Sequence, residues 1–229
     1  MLDARDGRLL TQPIKGTALR GGQADEDAAR AASLFASAKD RAELAMIVYL
    51  ERNDLGRVAR PGSVEVGAFP RLESFASVHH LLADVTAELA PGRDALDALA
   101  VLFPGGSITG APKLAAMEEL ARLEGEGRGF FTGSLGFLDA CDSARFNILI
   151  RTLVWHGRAP AAPGEATEAE VELQVGGGIT WRSDAVEEER ETRVKGAALA
   201  ALLRAEGEAP ETLGIELRRE ADPRLESRP

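Results

Sequence analysis

Apolar residues repeat with a helical period at several places along the chain, and the clearest cases predict helices. Segment 23–39 is rich in alanine and opens with three acidic residues, where carboxylates interact favourably with the helix dipole. A second helix is expected to begin near Asp40, because its apolar positions follow helical spacing better than alternation, and to end at Gly56. Similar patterns predict further helices at 94–102, 113–123 and 184–205, the last capped by Ser183 or Asp184.

Apolar segments rich in β-favouring residues predict strands between these helices. The predicted strands are 64–69, 77–89, 130–138, 146–155 and 171–181. Segment 77–89 also fits a helical period, and we favour a strand for it. The pattern as a whole predicts one α/β domain over residues 1–205, a solvated loop at 159–166 and a weakly ordered polar tail over 206–229.

Charge and composition narrow the class of protein. The chain of 229 residues carries a net charge of -10, which argues against a nucleic-acid-binding surface. It has no run of about 18 apolar residues and no signal-peptide pattern at its start, so we expect no membrane span. The single cysteine, Cys141, cannot form an intramolecular disulfide, which agrees with a reducing compartment. We therefore expect a cytoplasmic enzyme or binding protein, in which local groups supply positive potential to any anionic substrate.

Lys15 is the first candidate for a chemical role. It lies two residues after Pro13, whose ring restricts the backbone angle φ, and directly before Gly16, which allows a wider range of backbone angles. A lysine held in this way can serve as an amine nucleophile. The alternative is a surface turn with a solvated ammonium group, and the segment alone leaves both interpretations open.

A glycine-rich segment, residues 105–110, precedes a predicted helix. Its backbone N–H groups and the hydroxyls of Ser107 and Thr109 suit an anion or a polar ring substituent. Ala111 and Pro112 interrupt the ending that a nucleotide-binding P-loop requires, so we reject an ATP site of that type. The alternative is a tight connection that needs glycine only for steric reasons.

Two features in the second half of the chain could bind carboxylates. Gly177 and Gly178 belong to a run of three glycines, where the backbone can approach a ligand closely. Arg151 lies in an otherwise apolar predicted strand, 147–152, and needs a carboxylate partner, which either a substrate or another protein group could supply. A bulge or a flexible turn is the alternative explanation of the glycines.

Acidic and imidazole side chains complete the candidate chemistry. Glu188 and Glu191 are separated by one helical turn, and together with Glu43 they would offer oxygen ligands to Mg2+. Charge runs of this kind usually form only a solvated helix face. His79 and His80 are candidates for a general acid or base, although a strand histidine more often hydrogen-bonds within the core.

Eight motifs follow one another along the chain and carry a family resemblance. They are Pro13-Ile-Lys-Gly-Thr17 with Arg20, Met46-Ile-Val-Tyr-Leu-Glu-Arg-Asn-Asp-Leu-Gly56, Pro61-Gly-Ser-Val64, Ser77-Val-His-His-Leu81, Gly105-Gly-Ser-Ile-Thr-Gly-Ala-Pro-Lys113, Asn147-Ile-Leu-Ile-Arg-Thr152, Gly176-Gly-Gly178 and Glu188-x-x-Glu191-Thr192. The series closely resembles the chorismate-using enzymes, and within them the aminodeoxychorismate synthase component I branch. The resemblance runs from about residue 11 to about residue 200.

The resemblance implies an antiparallel two-sheet α/β sandwich flanked by helices, of which this chain would hold the C-terminal portion. It implies that chorismate is aminated at C4, with ammonia from a glutamine amidotransferase subunit. The product would be 4-amino-4-deoxychorismate, for 4-aminobenzoate and folate synthesis. Lys15 separates the branches, because anthranilate synthases usually carry alanine at this position.

The resemblance also implies roles for individual residues. Lys15 would attack ring carbon C2 as the C4 hydroxyl leaves, and Thr109 would lie near the departing oxygen. His80 aligns with an active-site histidine of the family. Substrate-binding roles are implied for Ser107, Arg151, Gly177 and Gly178. Mg2+ would be held by Glu43, Glu188 and Glu191.

Several positions depart from the family pattern. Tyr49 replaces a usual aspartate, Arg145 stands where an acidic residue is common, and Gln12 replaces a frequent arginine. The Ser-Pro-Glu-x-Phe segment of the family, which carries a proposed general acid or base, is absent from this chain. Two alternatives therefore stay open: an anthranilate synthase component I, and a catalytically inactive fragment that keeps the fold.

Overall fold

Strands and helices alternate along the chain in a computed structural model that describes residues 1–157, 169–181 and 183–205. The predicted loop at 159–166 and the predicted tail at 206–229 lie outside the described residues. The helices are α1 (Ala24–Ala36), α2 (Ala38–Gly56), α3 (Ala95–Leu102), α4 (Gly106–Thr109), α5 (Lys113–Glu124) and α6 (Ala185–Ala205). The strands are β1 (Leu2–Arg5), β2 (Arg8–Thr11), β3 (Ile14–Leu19), β4 (Glu65–Val66), β5 (Arg71–Ser74), β6 (Val78–Leu82), β7 (Val85–Glu88), β8 (Gly136–Leu138), β9 (Ala144–Phe146), β10 (Leu153–Gly157) and β11 (Ala169–Leu173).

The described strands form three antiparallel sheets. The largest has the order β4-β7-β2-β1-β9-β8, a second has the order β3-β6-β5, and β10 pairs with β11. Every strand pairing in them is antiparallel. The predicted fold class, a mixed α/β structure with antiparallel sheets, is confirmed.

The two larger sheets are continuous through a bent ribbon. β2 leads into β3 at Gln12 and Pro13, and β6 leads into β7 at Ala83 and Asp84, so one hairpin-like ribbon belongs to both sheets. At the bend the Ala83 N–H donates to the Pro13 carbonyl at 3.3 Å, and Gln12 Nε2 donates to Asp84 Oδ1 at 2.7 Å. Gln12, which departs from the family pattern, therefore serves here as a tie across the bend.

The hydrophobic core lies between one face of the six-stranded sheet and the helices α2 and α3. The buried strand residues Leu2, Leu9 and Val85 meet the buried helix residues Leu44 and Ala98 in one contiguous cluster. The opposite face of the sheet is polar, and there Arg145 Nε donates to Asp3 Oδ2 across the β1–β9 pair at 2.9 Å. This alternation between apolar and polar faces fixes the register of the sheet.

The predicted helices are confirmed, and local caps define where they start. Ser37 separates α1 from α2 and accepts a hydrogen bond from the Asp40 N–H, so α2 begins at Ala38, two residues before the predicted start. Asp94 caps α3 with both hydrogen bonds of a capping box. Asp184 accepts from the first free N–H groups of α6, as one of the two predicted caps. In the described part of the chain no helix has the length and apolar character needed to cross a membrane.

The strand predictions were less accurate than the helix predictions. Segment 77–89 is extended, but it forms two strands, β6 and β7, rather than one. The predicted strand 146–155 is wrong over 147–152, where the chain is irregular and Arg151 has a left-handed φ of 51°. The predicted strands 64–69, 130–138 and 171–181 are only partly strand in the structure, where they contain β4, β8 and part of β11 respectively. The strands β1, β2, β3 and β5 and the short helix α4 were not predicted.

Glu51 is a buried carboxyl group on α2. Its Oε2 atom and the nearby Thr11 Oγ1 are both buried and have no hydrogen-bond partner among the described residues. Burial, the largest cause, raises the pKa of Glu51 to about 7. The Thr11 hydroxyl lies near enough to oppose this rise, although its geometry is not that of a hydrogen bond, and the Asp54 carboxylate acts in the same direction as burial. The folded protein therefore holds a proton on Glu51 at pH values where the unfolded chain has released it.

Replacing Glu51 by glutamine should remove a pH dependence of stability. In the unmodified protein, the contribution of Glu51 to the free energy of unfolding is complete below about pH 4.5 and is lost as the pH rises through about 7. The loss amounts to about 3 kcal/mol, and Glu51→Gln should not show it. Urea unfolding at several pH values measures this difference, with the exposed Glu118→Gln as the control. If the free energy of unfolding depends on pH in the same way in Glu51→Gln and Glu118→Gln, the expectation is contradicted.

Candidate active site

Lys15 lies in β3 beside a break in the strand register. Lys15 pairs with Leu81 of β6, whereas Thr17 pairs with His80, so Gly16 is an extra residue in β3. Neighbouring residues of β6 face opposite sides of the sheet, and directly paired residues share a face. The bulge therefore places Lys15 on the face that packs against α2 and Thr17 on the other face, although a regular strand would place both on one side.

Gly16 is required at this bulge for two reasons. Its φ of 82° lies in the left-handed region, which favours glycine. A Cβ atom at this position would also lie 3.0 Å from Asp40 Cβ and 3.0 Å from Leu34 Cδ1, so the helices α1 and α2 approach the backbone closely. The helices thus cover the bulge and fix the direction of the Lys15 side chain.

The Lys15 ammonium group lies at a partly open position between α2 and the glycine run. Its Nζ is 3.7 Å from Glu43 Oε2, and the Lys39 Nζ is 4.0 Å from the other oxygen of the same carboxylate. The Lys15 side chain retains 25% of its exposure. A Cβ on Gly178 would come within 3.5 Å of Lys15 Nζ, so the missing side chain leaves the amine accessible.

Helix α6 brings two further carboxylates and one more lysine to this opening. Glu188 Oε1 accepts from Ser183 Oγ at 2.7 Å, and its other oxygen would lie 3.4 Å from a Cβ on Gly177. Lys195 Nζ lies 2.8 Å from Glu191 Oε1. Lys195 Nζ also donates to the Gly176 carbonyl at 3.4 Å, which ties α6 to the glycine run.

The charges at the site act on one another. The Lys195 ammonium, which hydrogen-bonds Glu191, lowers the pKa of the Glu191 carboxyl, and the Lys39 and Lys15 ammonium groups add to this effect. Three of the four lysines in the chain therefore surround one carboxylate. Lys39 and Lys195 were missed in the sequence analysis, although the spacing of four residues between Glu191 and Lys195 is typical of an ion pair on one helix face.

The predicted Mg2+ ligands lie around this opening, but each is engaged by another protein group. Glu43 contacts Lys15 and Lys39, Glu188 accepts from Ser183, and Glu191 pairs with Lys195. Within residues 1–157, 169–181 and 183–205, no group of three or more His, Cys, Asp or Glu side chains is placed to share a metal ion. The donor chemistry suits a hard cation, and the Mg2+ site stays a prediction.

His80 lies on the opposite face of the β3–β6 pair from Lys15. Its Nδ1 is 2.9 Å from Thr17 Oγ1, and its ring contacts Phe75 edge to face. The neighbouring His79 is buried and bonds Ser74 Oγ at 2.8 Å and Asp27 Oδ1 at 2.9 Å. His79 thus fits the structural alternative, since it pins α1 to the β5–β6 hairpin.

The remaining predicted site residues lie on other segments. Arg151 is exposed in the irregular segment after β9, so the predicted strand position for it is wrong. Ser107 and Thr109 lie in the short helix α4, where Thr109 Oγ1 donates to the Gly105 carbonyl at 3.2 Å. The structure therefore assembles Lys15, Glu43, Glu188, Glu191 and the glycine run at one place. Within the described part of the chain, Arg151, His80 and the α4 hydroxyls form no hydrogen bond or ion pair with Lys15, Glu43, Glu188 or Glu191.

The chain is similar over most of its length to proteins of known sequence. The family model for chorismate binding enzymes matches residues 1–201. The aminodeoxychorismate synthase component 1 of Bacillus subtilis is 42% identical over 200 residues, which cover 87% of this chain and 40% of that protein. The anthranilate synthase component 1 of Streptomyces coelicolor is 44% identical over 211 residues, which cover 91% of this chain and 39% of that protein. The chain thus spans about two fifths of the length of these relatives.

Solved structures share the fold. The anthranilate synthase component I of Streptococcus pneumoniae superposes with a TM-score of 0.68 at 33% identity, over 86% of this chain and 41% of that one. The menaquinone-specific isochorismate synthase of Escherichia coli superposes with a TM-score of 0.74 at 24% identity, over 88% of this chain and 44% of that one. The second likeness concerns the fold alone.

Replacing Gly16 by alanine should destabilise the protein more than the same change at Gly7. Both glycines have a left-handed φ, 82° and 73°, but a Cβ on Gly7 would meet nothing within 4 Å. We expect a loss of about 1 kcal/mol for Gly7→Ala and about 3 kcal/mol for Gly16→Ala, because the second also forces the helices away from the bulge. Urea unfolding measures both values, and equal losses would show that the helices do not contact the bulge.

Replacing Lys195 by methionine should raise the pKa of Glu191 towards the ordinary glutamate value. The change removes the hydrogen bond that is the largest cause of the lowered pKa, and it keeps most of the apolar length of the side chain. Carboxyl 13C chemical shifts followed through a pH titration give the pKa of Glu191 directly. Glu187, exposed in the first turn of the same helix, is the internal reference, and an unchanged Glu191 titration would contradict the ion pair with Lys195.

Proposed function

Because the chain belongs to the family of chorismate binding enzymes, we propose that it forms the Lys15-containing chorismate site of an aminodeoxychorismate synthase component I. The observation that carries this proposal is the accessible amine of Lys15, held by the bulge at Gly16 and bordered by Glu43 and Gly178. The identities of 42% and 44% to the two synthases do not separate them. The proposal therefore depends on the amine itself, at a position where the anthranilate branch usually carries alanine.

The proposed reaction uses Lys15 as a nucleophile. Its neutral amine forms a bond to C2 of the chorismate ring and gives up a proton, and both conjugated ring double bonds shift towards C4. The bond from C4 to its hydroxyl oxygen breaks, and that oxygen takes a proton and leaves as water. Ammonia then forms a bond to C4 and gives up a proton, both double bonds shift back, and the C2–nitrogen bond to Lys15 breaks as that nitrogen takes a proton. The products are 4-amino-4-deoxychorismate and the free lysine amine, so two easier displacements replace one difficult substitution.

The charge at the site supports a dicarboxylate substrate. The three ammonium groups of Lys15, Lys39 and Lys195 are balanced in the structure by protein carboxylates. A substrate carboxylate can take the place of Glu43 or Glu191 as the partner of an amine, and the exposed backbone of Gly177 and Gly178 allows its close approach. An electrically balanced site can thus exchange internal ion pairs for pairs with the substrate.

Mg2+ belongs to the same proposal. Glu188 and Glu191, with Glu43, would hold the ion once the substrate has drawn the ammonium groups away from them. A divalent cation would neutralise these carboxylates and one carboxylate of the substrate. The entry of a dianion together with a dication keeps the charge of the site unchanged, which is the physical reason to expect that the two bind together.

The whole enzyme would take ammonia from a glutamine amidotransferase subunit and act in the cytoplasm in folate synthesis. An anthranilate synthase component I is the second candidate, favoured by the 44% identity to the Streptomyces protein. In that case the amine would enter at C2 and the product would be anthranilate. The two candidates differ in their product, so one assay separates them.

Lys15→Arg and Lys15→Ala should both lose amination at C4, by about a hundredfold or more, because neither side chain can form the bond to C2. Arginine keeps the positive charge, so Lys15→Arg should still bind chorismate, whereas Lys15→Ala should bind it more weakly. Products formed from chorismate, Mg2+ and ammonium chloride are separated by chromatography, and chorismate affinity is measured by calorimetry.

Without ammonia, the unmodified chain should accumulate an adduct on Lys15 with the mass of chorismate less one water. Anthranilate as the product would favour the second candidate. Binding of chorismate with neither product nor adduct would show that this chain alone is inactive. Unchanged turnover in Lys15→Arg would refute the nucleophilic role.

A further inference from the structure

The remaining lysine of the chain, Lys113, is largely buried outside the candidate site, and its ammonium group makes a complete set of hydrogen bonds. Its Nζ donates to Asp54 Oδ2 at 2.6 Å, to the Val101 carbonyl at 3.1 Å and to the Leu102 carbonyl at 3.4 Å. The side chains of Lys113 and Asp54 retain only 16% and 9% of their exposure. An ammonium group has three N–H donors, and all three have partners here.

These contacts join the two ends of one loop. The last two residues of α3 are Val101 and Leu102, whose carbonyls have no partner within the helix, and the ammonium group lies at the negative end of the helix dipole. Lys113 itself is the first residue of α5. The ten residues 103–112 connect α3 to α5, and the Lys113 ammonium group therefore contacts both ends of this loop. Asp54 links that ammonium group to α2.

The middle of this loop is also packed against α2. A Cβ on Gly106 would lie 2.8 Å from Leu50 Cδ1, and a Cβ on Gly105 would lie 3.3 Å from Ile148 Cδ1. The loop therefore approaches its neighbours as closely as glycine allows. Ser107 and Thr109 come directly after Gly106 in the sequence, so the positions of their side chains depend on how the loop packs against α2.

We propose that Lys113 is a positioning residue for the loop 103–112, and that it places the Ser107 and Thr109 hydroxyls for the substrate. Through Asp54 it holds the loop on α2, the same helix that carries Glu43 beside Lys15. One helix thus provides a common frame for the amine site and the hydroxyl-bearing loop. The inference rests on the proposed function in one respect, namely that these hydroxyls contact the substrate.

A purely structural role of the Lys113–Asp54 pair predicts a different pattern of effects. A buried ion pair that only supports the core would, when broken, loosen all the elements around it. A positioning role confines the effect to the loop and to ligand binding. The Lys113 charge also lowers the pKa of Glu51, so its removal should raise the pH at which Glu51 titrates. This shift reports that the charge has been removed without a loss of the fold.

The experiment compares hydrogen exchange and chorismate binding in Lys113→Met and Lys113→Arg, with the exposed Leu114→Ala on the same helix as the control. In Lys113→Met, the amides of residues 105–110 should exchange about tenfold faster or more, while those of β1, β2 and β7 keep their protection. Chorismate should bind about tenfold more weakly. Arginine keeps the charge, so Lys113→Arg should recover part of both losses.

Three results would overturn the inference. They are uniformly faster exchange over the whole fold, unchanged exchange at residues 105–110, and unchanged chorismate affinity with a loosened loop. Failure of the proposed function appears separately, as an unmodified chain that does not bind chorismate. In that case the proposed placement of the substrate by these hydroxyls is refuted as well. The exchange data alone then decide whether Lys113 holds the loop.

Discussion

The β-bulge at Gly16 is the constraint on which the arrangement of the site depends. One extra residue in β3 turns Lys15 towards α2 while Thr17 turns towards His80. Asp40 and Leu34 press on the bulge from the helix side and leave no room for a side chain there. Backbone geometry and helix packing together therefore set the face of the sheet from which the Lys15 side chain projects, and the Glu43 carboxylate lies beside its ammonium group.

Electrostatics explains how an acidic chain can accommodate an anionic ligand. The net charge is -10, yet three of the four lysines lie around Glu43 and Glu191. In the absence of ligand these groups neutralise one another, which avoids the cost of unpaired charge in a half-buried opening. Under the proposed function, recognition of a dicarboxylate would be an exchange of partners, in which the ammonium groups leave the protein carboxylates for those of the substrate.

Much of the fold could be predicted from the sequence, because helix caps are local signals. Asp94 and Asp184 mark the starts of α3 and α6 through hydrogen bonds to residues two or three positions away. The strands were harder, since their limits depend on distant partners and on special backbone angles such as that of Arg151. For the candidate site, the sequence pointed to Lys15, the three glutamates and the two glycines, which lie together in the structure, while their roles stay predictions. Lys195 was not identified, because its pattern resembles one half of an ordinary ion pair on a helix surface.

The bent ribbon of β2–β3 and β6–β7 has a mechanical consequence for the site. Since Lys15 lies on one arm and the other arm belongs to the six-stranded sheet, the strand that carries the amine continues directly into the largest described sheet. The precision with which the amine is held should therefore follow the stiffness of that sheet. Under the proposed function, substitutions in β1 or β7 would offer a way to change the placement of the amine without altering Lys15 or the carboxylates beside it.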